Sequence, residues 1–214
     1  MKRRFLLLLA SFPSILLAQK DIVIPGNNLI VQGIPDIPVS VKNDVQRYTE
    51  SRSATFADWH PQRREMIMST RFGNVPQLHL VSKPMGARKQ ITFFEDPVGN
   101  ASYEPVSGKY FLFTKDIGGN EFSQIFRYDM ADGKVTLLTD GGRSQNGSIV
   151  WNRLKYNGHI LYSSTKGNGT DRDFYMMDPL HPEKEFMFMQ NKGGGWSISD
   201  WAGDFVLITQ SISA

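Results

Sequence analysis

Four histidines, His60, His79, His159 and His181, are the side chains of this sequence that titrate near neutrality, so their spacing decides what acid–base or metal chemistry is open to it. None forms the H-E-x-x-H pattern or a paired spacing that brings two imidazoles onto one ion, and the sequence implies no metal site. His60-Pro61 and His181-Pro182 read as turn residues. With zero cysteines the chain has no disulfide, no thiolate metal ligand and no cysteine nucleophile. Asn168, Asp171 and Asp173 form a carboxylate-rich loop, but the D-x-D-x-D-G spacing of a calcium loop fails, and a solvated hairpin turn is expected. Gly167-Asn168-Gly169 has too few glycines for a dinucleotide loop and no strand–helix pair around it, so no cofactor is implied.

The elements that carry these residues are legible from one stretch, Lys109 to Asp140. Tyr110 to Thr114 is an apolar, aromatic run too short for a helix, and Gly118-Gly119-Asn120 breaks the chain after it. Ser123 to Asp129 is a second such run. The Asp132-Gly133 pair favours a tight hairpin, and Val135 to Thr139 returns as a third strand. The stretch is an antiparallel meander.

The same grammar recurs. Ala54, Ala101 and Ser148 open units spaced by 47 residues, and Trp196 opens a fourth at about one further period. Met66–Thr70, Phe111–Thr114, Ile160–Ser163 and Val206–Thr209 fill one slot, apolar residues ending in a small hydroxyl. Gln77–Ser82, Gln124–Asp129 and Asp173–Asp178 fill the next, and Lys89–Phe93, Thr136–Asp140 and, less clearly, Glu185–Met189 the last. A period of roughly 40 to 50 residues with short strands and Gly/Asn/Asp turns predicts the blades of a β-propeller. The expected fold is all-β: an incomplete propeller of about three four-stranded antiparallel blades (54–96, 101–142 and 148–195) and the start of a fourth (196–214). Trp59, Trp151, Trp196 and Trp201 fall near blade openings, where packing between sheets is their expected role. Three blades and a half cannot close a ring, so either the chain is the front piece of a longer protein or copies associate through the open blade edge.

The formal charge is +3, and Lys2, Arg3 and Arg4 account for the whole excess, so no basic footprint for nucleic acid remains elsewhere. Residues 1–18 have the basic start, apolar stretch and small residue (Ala18) of an export signal, and Ser11, Pro13 and Ser14 break the stretch short of the roughly 20 residues of a membrane span. A secreted or periplasmic location without stable membrane insertion is expected. Residues 19–51 read as an extended arm, with weak helical spacing at Val41, Val45 and Tyr48.

The strings Arg52–Val98, Asp116–Gly141 and Ser163–Asp178 resemble the N-terminal propeller of bacterial exported peptidases of the prolyl oligopeptidase family. The resemblance is most specific in the first two blades. It implies a propeller acting as a gate that admits peptides to a C-terminal α/β-hydrolase domain with a Ser-Asp-His triad. The G-x-S-x-G elbow such a nucleophile needs is missing here: Gly195-Trp196-Ser197-Ile198-Ser199 and Gly142-Arg143-Ser144-Gln145-Asn146 both lack the second glycine. Ser197 is expected to be a strand residue, and no catalytic residue is assigned. Glu121 is the one substrate-binding candidate, because relatives in the wider family use acidic propeller residues to hold a free amino terminus. The other reading of the residue is an acidic turn side chain in water. The functional expectations are a non-catalytic gate of a peptidase or, from another class, a free-standing periplasmic module for protein–protein interaction.

Overall fold

A computed structural model describes residues 21–27, 29–50, 52–152, 154 and 158–212. The expected export signal at 1–18 lies outside them. The chain divides into two compact units, Met1–Ser51 and Arg52–Ala214.

In the first unit the chain doubles back, with Ile22 bridged to Pro38. Pro38, in extended geometry, then leads into helix α1 (Val39–Thr49). The helix buries no residue, and Val41, Val45 and Tyr48 all face solvent. Its polarity suits the ion pair it carries between Asp44 and Arg47, 3.1 Å apart. No helix among the described residues is long and apolar enough to cross a membrane.

The second unit is all-β: three four-stranded antiparallel sheets, each in simple meander order, and a two-stranded sheet. Sheet one holds β1 (Ala54–Trp59), β2 (Met66–Thr70), β3 (Gln77–Val81) and β4 (Lys89–Gln90). Sheet two holds β5 (Gly99–Tyr103), β6 (Tyr110–Lys115), β7 (Gln124–Asp129) and β8 (Val135–Leu137). Sheet three holds β9 (Asn146–Trp151), β10 (Ile160–Ser164), β11 (Asp173–Asp178) and β12 (His181–Met189), and sheet four holds β13 (Trp196–Ala202) and β14 (Phe205–Gln210). This is the incomplete propeller the repeat predicts. All four opening strands pair irregularly with the second, between Phe56 and Asp58, Gly99 and Ala101, Gly147 and Val150, and Ile198 and Asp200. An extra residue there raises the local twist of each sheet.

Sheets two and three use the period-two alternation of a strand to face a neighbour on each side. In β6, Phe111 and Phe113 pack against Ile67 and Leu78 of sheet one, and Tyr110 and Leu112 join the cluster of Trp151, Ile160 and Tyr162 in sheet three. Leu161 and Phe174 then pack on Ile198 and Trp201 of sheet four. Hydrogen bonds add stitches between opening strands. The Asp58 carboxylate accepts from Ser102 Oγ at 3.0 Å and from the Tyr103 N–H at 2.9 Å, and Trp151 Nε1 donates to Ser102 Oγ at 3.0 Å.

Two sequence expectations need correction. Trp59 is 60% exposed and lies on Phe56 instead of packing between sheets, because sheet one has no preceding sheet among the described residues to cover that end of β1. Trp151 and Trp201 are buried as expected. His181 and Pro182 begin β12 and are strand residues, because β12 starts one residue after the tight turn at 179–180 and runs nine residues.

Candidate functional site

In an antiparallel meander the turns between first and second strands and between third and fourth strands lie at one end of the sheet. Here those turns line a bowl of about 960 Å³ between the ends of sheets two and three, with Arg63 of sheet one on its rim. Its acidic groups are Glu104, Asp129, Asp132 and Asp178, against Arg63 and Lys109, so the lining is net negative.

Each of these carboxylates also has a local structural role. Glu104 follows β5 and accepts the backbone N–H groups of Val106 (2.7 Å), Ser107 (2.7 Å) and Gly108 (3.1 Å), together with the Ser107 hydroxyl. Burial pushes this carboxyl up, but those donors outweigh it and hold it below its ordinary value. Asp129 pairs with Arg127 at 3.1 Å, and Arg127 also donates to the Pro179 carbonyl at 2.6 Å, which ties sheet two to sheet three beneath the bowl. Asp132 and Asp178 accept the N–H groups of Lys134 and Leu180, both at 2.9 Å.

His60 occupies in sheet one the place Glu104 has in sheet two. Its Nδ1 accepts the N–H groups of Gln62 (3.0 Å) and Arg63 (3.1 Å), so any ring proton of the neutral form sits on Nε2 and the lone pair is engaged. Desolvation, reinforced by Arg63, lowers its pKa. A buried neutral imidazole with an occupied lone pair holds a turn and is no general base. Gly108 is required beside it: its φ is +62°, and a Cβ there would meet the imidazole at 2.5 Å. Asn152 takes the same place in sheet three, accepting the Leu154 N–H and donating to the Gly203 carbonyl at 2.8 Å.

Glu121 lies at the opposite end of sheet two, in the β6–β7 turn. It is exposed with φ +64°, and its N–H donates to Asp116 Oδ2 at 3.2 Å. It does not converge with the bowl. Ser197 is a strand residue of β13, its Oγ 2.7 Å from Thr209 Oγ1, and Ser144 is buried in a turn bonded to Asp140. Neither serine touches an imidazole. Asp173 lies buried at the start of β11, accepting the Asn191 N–H at 2.8 Å, so the expected solvated turn holds for Asn168 and Asp171 alone. Among the described residues no group of three or more histidine or acidic side chains is placed to hold a metal.

The sequence reading missed a repeated clamp at the head of the third strands of sheets one and two. Gln77 donates to the carbonyls of Phe94 (3.0 Å) and Asp96 (3.1 Å) and accepts from the Phe94 N–H. Gln124 likewise donates to the carbonyls of Gly142 and Ser144 and accepts from Gly141 N–H and the Thr139 hydroxyl. These amides anchor the linker to the next sheet where β4 and β8 have already ended. The signal was available, since both strings open on Gln followed by an apolar residue.

No protein-family model matches the chain, and no curated protein does. Solved structures do. Puromycin hydrolase aligns with a TM-score of 0.50 at 16% identity, covering 72% of this chain and 24% of its own length. Oligogalacturonate lyase in complex with manganese gives 0.50 at 15%, covering 73% and 50%. A TolB-like protein from Agrobacterium tumefaciens gives 0.47 at 16%, covering 61% and 47%. The chain therefore spans half or less of the length of each. The neighbours include β-propeller domains of TolB-like proteins and of prolyl-oligopeptidase-family peptidases, and identities this low show a shared propeller fold alone.

Proposed function

We propose that the chain is the non-catalytic, substrate-gating propeller portion of an exported serine peptidase of the prolyl oligopeptidase type, acting on peptides through an α/β-hydrolase domain outside these residues. The observation that carries the reading is the string-level resemblance across the first two blades. The shared fold with puromycin hydrolase agrees with it. The acidic bowl and Glu121, at opposite ends of sheet two, are two places where a peptide's amino terminus would find negative charge. The purified chain is expected to leave peptide p-nitroanilides intact while binding short peptides with a free amino terminus more tightly than their acetylated forms. Glu121→Gln is expected to narrow that difference. Turnover that survives purification, or equal binding of free and acetylated peptides, overturns the reading.

The second reading is a free-standing module for protein–protein interaction, and one observation favours it. The two-stranded sheet four leaves the outer edge of β14 without a neighbouring strand among the described residues and exposes Phe205 and Leu207. Self-association through that edge would give a species larger than monomer in sedimentation. A clean monomer at high concentration counts against it.

A further inference from the structure

Sheet one contains a cavity that neither reading uses. It lies between the β2–β3 turn and the segment after β4, has a volume of about 540 Å³, and is walled by Phe72, Val75, Phe93 and Phe94, with His79 of β3 among its lining. Position 79 corresponds to Phe126 in sheet two and Tyr175 in sheet three, each the third residue of its third strand. Those two rings stack on Phe113 and Tyr162, with centroids 5.4 and 5.7 Å apart. Sheet one has a histidine in that place, 0% exposed, with the Phe72 ring edge-on to it at 5.1 Å.

The histidine's hydrogen bonds define what it lacks. Nδ1 lies 3.0 Å from the Gln77 carbonyl oxygen, which can only accept, so Nδ1 carries the proton and Nε2 presents a lone pair. Burial lowers the ring's pKa, which keeps it neutral. Nε2 is buried and has no hydrogen-bond partner among the described residues. The Gln77 amide donates to Phe94 and Asp96, the Gln90 amide donates to the Thr92 carbonyl at 2.8 Å, and Arg88 Nη1 donates to Thr70 Oγ1 at 3.0 Å. Arg88 also lies over the Phe72 ring, 4.7 Å from its centroid.

We infer that this cavity is a binding site for a neutral aromatic ring carrying one N–H or O–H donor, an indole or a phenol, whose proton goes to His79 Nε2 once the Phe72 ring lying against the imidazole turns aside. The aromatic walls supply ring contacts, and a volume of this size is that of a small-molecule site. An anion would bring no proton to Nε2 and would share the cavity with the Glu95 carboxylate, while the guanidinium groups of Arg52 and Arg88 lie over the Phe72 ring. The inference is independent of the proposed function.

The test uses the full chain, with the imidazole nitrogens followed by long-range ¹H–¹⁵N NMR during titration with indole, 1-methylindole and N-acetyl-tryptophanamide. Indole is expected to move His79 Nε2 alone among the four histidines and to bind at least about tenfold more tightly than 1-methylindole, which has the same ring without the donor. Tighter binding of N-acetyl-tryptophanamide than of indole identifies a protein side chain as the source of the ring, and the reverse identifies a free small molecule; either order supports the site. Equal binding of indole and 1-methylindole, or no response of Nε2 up to the solubility limit of indole, overturns it. His79→Phe, which installs the residue of sheet two, is expected to abolish the preference for indole. The probe pair is read on the unaltered chain, so a variant that fails to fold leaves the outcome decided.

Discussion

Strands β6 (YFLFTK) and β14 (FVLITQ) are both second strands of their sheets and are almost equally apolar, yet they end in opposite environments. All of β6 except Lys115 is buried, and Phe111 and Phe113 are 0% exposed. In β14, Phe205 is 83% and Leu207 60% exposed, and only the residues facing sheet three, Val206 and Ile208, are partly covered. The difference is in the neighbours. Among the described residues β6 has a strand on each edge and a sheet on each face, whereas β14 has one of each. Burial in this architecture is a property of the stack, and a strand's own hydrophobicity only makes it eligible.

Truncation should break the comparison most visibly. Phe111→Ala is expected to destabilise the unit by about 3–5 kcal/mol, and Phe205→Ala to stay within about 0.5 kcal/mol, in urea denaturation. Equal losses would mean that β14 is covered in solution. The clamp between sheets two and three comes next. Gln124→Ala removes the partners of the Gly141 N–H and the Gly142 carbonyl and one of two donors to the buried Ser144 carbonyl, at a total expected cost of roughly 1–3 kcal/mol, and should loosen the linker to sheet three before the sheets themselves, seen as early amide exchange at Gly141.

The turn caps give smaller, pH-dependent effects. Glu104→Gln keeps one acceptor oxygen and loses the charge, at an expected cost of about 1–2 kcal/mol near neutrality. Because the folded pKa of Glu104 is depressed, its contribution is present above the unfolded value of 4.5 and is lost as pH falls through the folded pKa. Glu104→Gln should therefore flatten that acid limb, and an unchanged limb would show that the cap does not titrate with unfolding. His60 gives the smallest effect. Its folded pKa is also lowered, so the unfolded chain binds the proton first and stability falls as pH drops from 6.5 toward the folded value. His60→Asn installs the cap found at Asn152 and should remove that part of the slope while keeping the turn, as read from melting temperatures between pH 7 and about pH 5.

Much of the fold could be read along the chain because each blade is local. Its strands are consecutive, and breakers such as Gly118-Gly119 and Asp132-Gly133 interrupt the apolar runs where the turns fall. Less of the site could be read, because the groups that matter meet across turns or sheets. Trp59 and Trp151 share a slot and the same residue type, and only the presence of a preceding sheet separates the exposed one from the buried one. His79 looks like any scattered histidine until its Nε2 is found buried without a donor. The acidic bowl draws Glu104, Asp129 and Asp178 from three different turns, and no spacing in the sequence announces that meeting.

The all-β class, the four units and the order of their strands were settled by local patterning, because period-two alternation and turn residues act over a few positions at a time. Packing alone settled which faces are covered, which carboxylates share the bowl, and which imidazole keeps a free lone pair. Those outcomes depend on what a neighbouring sheet places within a few ångströms, and desolvation and hydrogen bonding act over that distance whatever the separation in sequence.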